Sequence, residues 1–403
     1  MKPLDPIDDP APGWPARYLA TASARAEFGD RVARLAPFLS VCDPLADAAV
    51  AALAERPGSL ALIDRILDGG VAAAPEAPAA LRQLVEAVER VPVWVDWRAI
   101  DRGGRVLVRS GVLGGIVLGA KALTYGYASP SGNKPLVLSG RLRESAPRRL
   151  NETSRFVQAV TRPGGLLRQA DGFKITVKVR LMHAQVRRMI LRSGRWLPDR
   201  WGAPINQHDM AATTLLFSIV TLDGLRQLGV HVSEDEGADY LHLWRYVGHL
   251  MGVDDELLPA TERDASSLGR LMFATQGPPD DDSRALVRAL LEASEQQGSD
   301  EERTRARRLR PVAHGICRGL IGDTLADQLA IAATPMRHLV PVVRAVVGTL
   351  ERARRQSRGL ERALARLGER YWDTVVSRGL HHATHDFALP HRLAGLEPRL
   401  QPA

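Results

Sequence analysis

The sequence predicts an all-α protein, built as one large helical domain, on three observations. Apolar residues recur at helical spacing through most of the 403 residues. Strand-like alternation is confined to VWVDW at 93–97 and RVLVR at 105–109. The breaks between apolar stretches carry helix caps and stops, with glycine and proline where helices end.

Taken in order, Asp43 to Glu55 (DPLADAAVAALAE) opens on a capping aspartate with proline at the first helical position, and RPG follows it. Ala79 to Val91 is a second amphipathic stretch. A long helix is expected from about Leu107 to Tyr125; its only charges, Arg109 and Lys121, lie near its ends, so its middle reads as buried all round. Its glycines at 111–119 follow no phosphate-binding order and read as close helix packing. SPSGNKP at 129–135 is a loop. Pro147 to Thr161 is helical and stops at RPGG; a longer helix runs from about Gly172 to Ser193. SGRWLPDRWGAPINQHD at 193–209 is a loop, followed by helices Met210 to Leu228 and Glu234 to Met251. The rest, to about Arg378, reads as five or six further helices. The organisation expected is a flexible segment at 1–15, one domain over 16–387 and a tail at 388–403.

Composition excludes several classes. With 45 % hydrophobic and 25 % charged residues the chain has a globular profile. The longest uninterrupted apolar candidate, SGVLGGIVLGAKAL at 110–123, holds four glycines and a lysine and is too short to span a bilayer, so no integral membrane segment is expected. The acidic, proline-rich start lacks the features of a secretory signal, and the compartment expected is the cytoplasm. Cys42 and Cys317 are far apart and outside any paired motif, so both read as structural thiols. The net charge of +8 is almost all arginine, spread among acidic residues; RTRARRLR at 303–310 follows DEE and reads as a solvated helix face. Nucleic acid is therefore not expected as a partner.

One stretch asks for chemistry. VRLMHAQVRR at 179–188 sets a single histidine among apolar residues and arginines. Helical spacing puts Thr176, Val179, Arg180, His183, Val186, Arg187 and Ile190 on one face, and Arg149, Thr153, Phe156, Val157 and Val160 on one face of the preceding helix. PGG at 163–165 joins the two as an antiparallel hairpin. Arg149 and His183 are equidistant from Leu166 at the turn, so an imidazole, a guanidinium and a hydroxyl approach one level of an apolar interhelical space. An imidazole in such a space suits the proximal ligand of a b-type haem, arginines suit its propionates, and a buried threonine can orient water or dioxygen. A hydrogen-bonded core histidine has the same appearance in sequence.

Arg149 to Asp209 resembles the catalytic domain shared by MpaB-type oxygenases and the bacterial rubber oxygenases called latex clearing proteins. RRLNET at 148–153, PGG, VRLMHAQVR at 179–187, WGAPINQHDM at 201–210 and HLWRYVGHLMG at 242–252 carry the likeness, which is good over about 90–260 and fades in the C-terminal third. In that family an arginine, a threonine four residues on and a histidine 30 further form the haem-site pattern, which Arg149, Thr153 and His183 reproduce. The resemblance implies a globin-like helical core, haem b with iron held by His183, and an oxidoreductase that uses dioxygen. Arg149, Glu152 and Thr153 become the catalytic candidates, with Arg149, Thr153, Arg180 and Arg187 about the cofactor. Rubber-cleaving members carry lysine just before the threonine; here Glu152 stands there, as a base or as an ion-pair partner of Arg149. That departure and the lack of an export signal point to a smaller lipophilic alkene or terpenoid rather than rubber. A non-catalytic haem or lipophile binder of the same fold, or a helical interaction protein with a packed His183, are the other readings.

Other polar clusters have ordinary explanations. His208 and Asp209 can be read as metal ligands, but Asp209 before an apolar helix reads first as an N-cap. His242, Arg245 and His249 share a helix face as packing residues or, less simply, a metal site. His381, His382 and His385 read as incidental.

Overall fold

The computed structural model describes residues 13–55, 60–138 and 146–380. Among these the chain is helical throughout, and the sole strand-type pairing is an isolated bridge between Tyr18 and Gln276. VWVDW and RVLVR are not strands: the first leads into a helix and the second lies inside it. We label the longer helices α1 (Pro44–Ala54), α2 (Leu60–Gly69), α3 (Ala79–Glu89), α4 (Trp97–Ser110), α5 (Val112–Tyr127), α6 (Ala146–Thr161) and α7 (Asp171–Arg192). Then come α8 (Gln207–Leu215, continuing through a π-turn at Leu216–Val220 into Thr221–Gln227), α9 (Glu234–Leu250), α10 (Glu262–Ala274) and α11 (Asp281–Leu291). Finally α12 (Asp300–Ile321), α13 (Leu339–Gln356) and α14 (Arg358–Leu380) complete the order. The histidines at 381, 382 and 385 and the tail at 388–403 lie outside the described residues.

The caps follow local chemistry. Asp43 accepts from the Ala46 N–H at the start of α1, and Ser233 and Glu236 form a reciprocal capping box at α9. At α8 the cap is Asn206, whose side chain accepts from the Asp209 N–H; Asp209 sits in the first turn, so the capping role expected for it belongs three residues earlier.

The apolar stretch expected as one helix over 107–125 is two. Gly111 has φ +50°, and α4 and α5 meet there at 90°. Apolar periodicity runs through the break because both arms are buried; only a residue free of a Cβ adopts that φ at little cost. The stretch 31–54 is also apolar enough on average to invite a membrane reading, with mean hydropathy 1.4 over its best window. Its helices are short and interrupted at Ser40–Asp43, and Ala46, Ala49, Val50 and Leu53 pack into the core.

The central element is α4. A side chain at Gly103 would run into the Asp239 carbonyl of α9, and one at Gly104 into the Thr161 carbonyl of α6, so both helices touch its backbone directly. On another side α14 brings Gly368 against the Val108 carbonyl and buries Trp372. The main apolar cluster runs from Ala46 on α1 to Trp372 on α14. Trp14, within the N-terminal segment expected to be flexible, packs edge-on against the buried Tyr18 at 5.5 Å. The thiols are structural in setting: burial pushes Cys317 up to about 11, and its Sγ lies 3.1 Å from the Ala120 carbonyl.

Four ion pairs among the described residues tie the N-terminal helices to α7, from Lys174, Lys178, Arg180 and Arg187, and the most buried is that of Arg180 with Asp43. Arg180 donates from Nε and Nη2 to the two carboxylate oxygens of Asp43 at 2.6 and 2.9 Å, with side chains 8 % and 9 % exposed. Its Nη1 reaches the Leu250 carbonyl at 3.2 Å. Removing one member strands a buried charge, at a cost of about 3–5 kcal/mol. Arg180→Leu is therefore expected to lower the urea midpoint strongly with an unchanged m-value, whereas a loss under about 1 kcal/mol would show the pair to be dispensable.

Candidate functional site

The hairpin of α6 and α7 builds the site. Its base is tight: Gly165 accepts from the Phe173 N–H at 3.0 Å, and a Cβ at Gly172 would meet the Gly165 and Ala159 carbonyls. Arg149 lies twelve residues before Thr161 at the end of α6, and His183 twelve after Asp171 at the start of α7. At 1.5 Å per residue both stand about 18 Å from the turn. Thr153 is one turn below Arg149 on the same face.

Buried polar atoms without partners mark this level. His183 Nδ1 has none, nor do Nε and Nη2 of Arg149. Burial, then the charge of Arg187, push His183 down to about 4 against the opposite pull of Asp43. The imidazole is therefore neutral near pH 7, the state a metal ligand requires. The Tyr127 hydroxyl faces the Arg149 guanidinium; burial raises its pKa and Arg149 opposes that rise. Below Thr153 the face of α6 presents Phe156, edge-on to Trp244 of α9 at 6.1 Å and to Phe217 of α8 at 6.3 Å. Phe217 stacks on Trp244 at 5.0 Å, and the Trp244 indole N–H is buried without an acceptor. Sequence reading missed Tyr127, Phe217 and Trp244 as site residues; only Phe156 carried a spacing signal.

Two of the expected cofactor arginines are engaged elsewhere. Arg180 is spent on Asp43 and Leu250. Arg187 pairs with Asp47 and donates to the Pro204 carbonyl at 3.0 Å and the Ile205 carbonyl at 2.7 Å. They lie three residues before and four after His183, and their partners fix the rotation of α7 rather than leaving donors free. Glu152 is also placed differently from either expectation. It pairs with Arg148, Nε to Oε1 at 2.8 Å, with that arginine 64 % exposed, and so faces away from the buried level. The i,i+4 partner is chosen over Arg149 at i+3, leaving Arg149 without a carboxylate.

The remaining candidates are packing groups. His242 Nε2 accepts from the Asp96 N–H at 2.9 Å; His242 and His249 stand edge-on to Trp94, and Arg245 lies over that ring at 4.2 Å. No group of three or more His, Cys, Asp or Glu side chains is arranged for a metal ion among the described residues. Asp209 is held by Arg17 at 2.7 and 2.8 Å.

Fold and site together define a helical protein in which a histidine and an arginine, each with unpartnered buried nitrogens, stand at one height of a helical hairpin beside an aromatic cluster. The chain belongs to the family described as ER-bound oxygenase mpaB/B′/rubber oxygenase, catalytic domain, whose model matches residues 97–352. It is an oxygenase family, and therefore one of oxidoreductases. The chain is similar to the rubber oxygenase of Streptomyces sp. (strain K30), with 26 % identity over 339 residues, 78 % of this chain and 81 % of that protein. It shares its fold with the latex clearing protein LCP in the closed state, at TM-score 0.59 and 24 % identity, over 84 % of this chain and 91 % of that one.

The electrostatics of Asp209 have a pH consequence. Burial alone would raise its carboxyl, but Arg17 and His208 outweigh that and hold it far below the ordinary range. A carboxyl lowered on folding contributes stability that is full above the unfolded value of about 3.9 and is lost as pH falls further. In urea melts, the deficit of Arg17→Met relative to wild type is expected to be largest above about pH 4 and to shrink below it. A deficit constant from pH 6 to pH 2.5 would remove Asp209 as its source.

Proposed function

We propose that the chain is a haem b-dependent oxygenase acting with dioxygen on a lipophilic alkene, such as a terpenoid, with His183 as the proximal iron ligand. One observation carries this reading. Arg149 and His183 keep buried nitrogens unpartnered at one height of the α6–α7 hairpin, a cost that a bound group with carboxylates and a ligand-seeking metal would remove. The residues present fit haem: a neutral imidazole for iron, a guanidinium fork for a propionate and an aromatic floor for the macrocycle. When bound, the cofactor supplies the redox iron that dioxygen chemistry at a C=C or C–H bond requires.

What the chain itself contributes is positioning and exclusion of water. Arg180 and Arg187 hold α7 in rotation, so that His183 keeps its bearing towards α6. The Tyr127 hydroxyl steadies the Arg149 guanidinium. The Thr153 hydroxyl orients a small polar molecule between α6 and α7, while Phe156, Phe217 and Trp244 keep the floor dry. With Glu152 turned to Arg148, the polar side chains of the proposed site reduce to Arg149, Thr153, His183 and Tyr127. The departure from the lysine of rubber-cleaving members supports a small substrate over a polymer. A cytoplasmic setting belongs to the same proposal.

Purified protein reconstituted with haem is expected to show a Soret band. His183→Ala should abolish it, and Arg149→Gln should weaken haem binding roughly 10- to 100-fold, as loss of a supporting contact to a metal site does. Oxygen uptake should accompany prenylated or terpenoid alkenes and be absent with their saturated analogues. A folded protein that takes up no haem, or whose Soret band survives His183→Ala, would overturn the assignment.

A further inference from the structure

A cavity of about 560 Å³ opens on the other side of α8. Leu215, Leu216, Ile219 and Val220 of α8 line it, with Tyr125 of α5 and Met272 of α10 opposite. Phe217, which packs on Trp244 in the haem-site floor, is not among its lining residues, so the thickness of α8 separates the two spaces. Both π-turns among the described residues contribute to it, Lys121 from Leu118–Leu123 and Leu216, Ile219 and Val220 from the second. Such turns widen a helix locally and recur at functional sites. Phe273, half exposed and edge-on to Tyr125 at 6.1 Å, stands at the rim.

The polar end of the cavity has one unsatisfied group. Each charged residue in the lining already has a counter-charge: Lys121 with Asp223, Asp209 with Arg17, and Glu27 with Arg270 at 3.7 Å. His208, 5 % exposed, lines the same end. Its Nδ1 lies 3.4 Å from the Asp209 carboxylate, which assigns the ring proton to that nitrogen and leaves Nε2 as an acceptor. Nε2 is buried and has no partner. A volume of this size with apolar walls and an unpartnered polar atom on a lining side chain is the usual form of a small-molecule site.

We infer that this cavity is a second ligand site, separate from the proposed haem site, for a neutral amphiphile whose hydroxyl donates to His208 Nε2 while its hydrocarbon body lies along Leu215, Leu216 and Ile219. A carboxylate head is disfavoured, because Asp209 stands beside the imidazole and no lining cation is free. The site needs no cofactor, and its test stands apart from haem binding.

The experiment is calorimetric titration of the full chain, without added haem, with 1-octanol, octyl methyl ether and octanoate. Octanol is expected to bind about five- to tenfold more tightly than the ether, the difference one hydrogen bond makes, and more tightly than octanoate. His208→Phe should abolish the preference for the alcohol while keeping the fold. Ile219→Trp, which fills the cavity from its wall, should abolish binding of both, and His183→Ala should leave both unchanged. Equal affinity for alcohol and ether, tighter binding of octanoate, or octanol binding that survives Ile219→Trp or is lost in His183→Ala would each overturn the inference.

Discussion

The rotation of α7 about its own axis is the constraint on which the site depends, and buried ion pairs with α1 set it. Asp43 both caps α1 and grips Arg180; Asp47, one turn on, takes Arg187. A 22-residue helix packed by apolar contacts alone can roll by tens of degrees at little cost, since hydrophobic attraction has no direction. Charge-assisted hydrogen bonds, bidentate at Arg180 and single at Arg187, do have direction. Placed on either side of His183, they leave the imidazole one bearing. Both aspartates lie ahead of the segment matched by the family, which starts at Trp97. The matched region therefore contains Arg149, Thr153 and His183, while part of what orients α7 lies outside it.

The electrostatic character of the two spaces beside α8 differs for a related reason. In the hairpin, a guanidinium and an imidazole share one level with no acidic partner, so the space is cationic or neutral and suits an anionic periphery. In the cavity beyond α8, every lining charge is compensated and the vacancy is a single lone pair. One helix thus has an aromatic face towards the first space and an aliphatic one towards the second, the π-turn shifting the register between them.

Much of this was legible in the sequence where the relevant interactions are local. The helical class follows from periodicity, and the equal heights of Arg149 and His183 follow from counting residues on each side of PGG, because a helix converts count into length. Interactions between distant parts were not legible. A free arginine and one paired with an aspartate 137 residues away are the same letter, so Arg180 and Arg187 looked available. Glu152 followed two consecutive arginines, and the more exposed one won it. Asn206 and Asp209 are both good caps three residues apart, and only the backbone decides which has the extended conformation. The break at Gly111 was hidden because burial on both sides kept the apolar pattern intact.

The direct backbone contacts at Gly103 and Gly104 bear on how the molecule can move. Helices that meet through interdigitated side chains slide past one another by rotamer adjustments of an ångström or two. Where carbonyl lies against Cα there is no such layer to rearrange, and α4, α6 and α9 behave as one rigid body carrying Arg149, Thr153, Phe156 and Trp244 together. Breathing sufficient to admit a bulky molecule falls outside that body and away from the pinned α7, on the short Lys134–Leu138 helix, whose Leu138 packs with Val186 and Met189. Both walls of the proposed haem site are anvils, and motion belongs to the short helix at their edge.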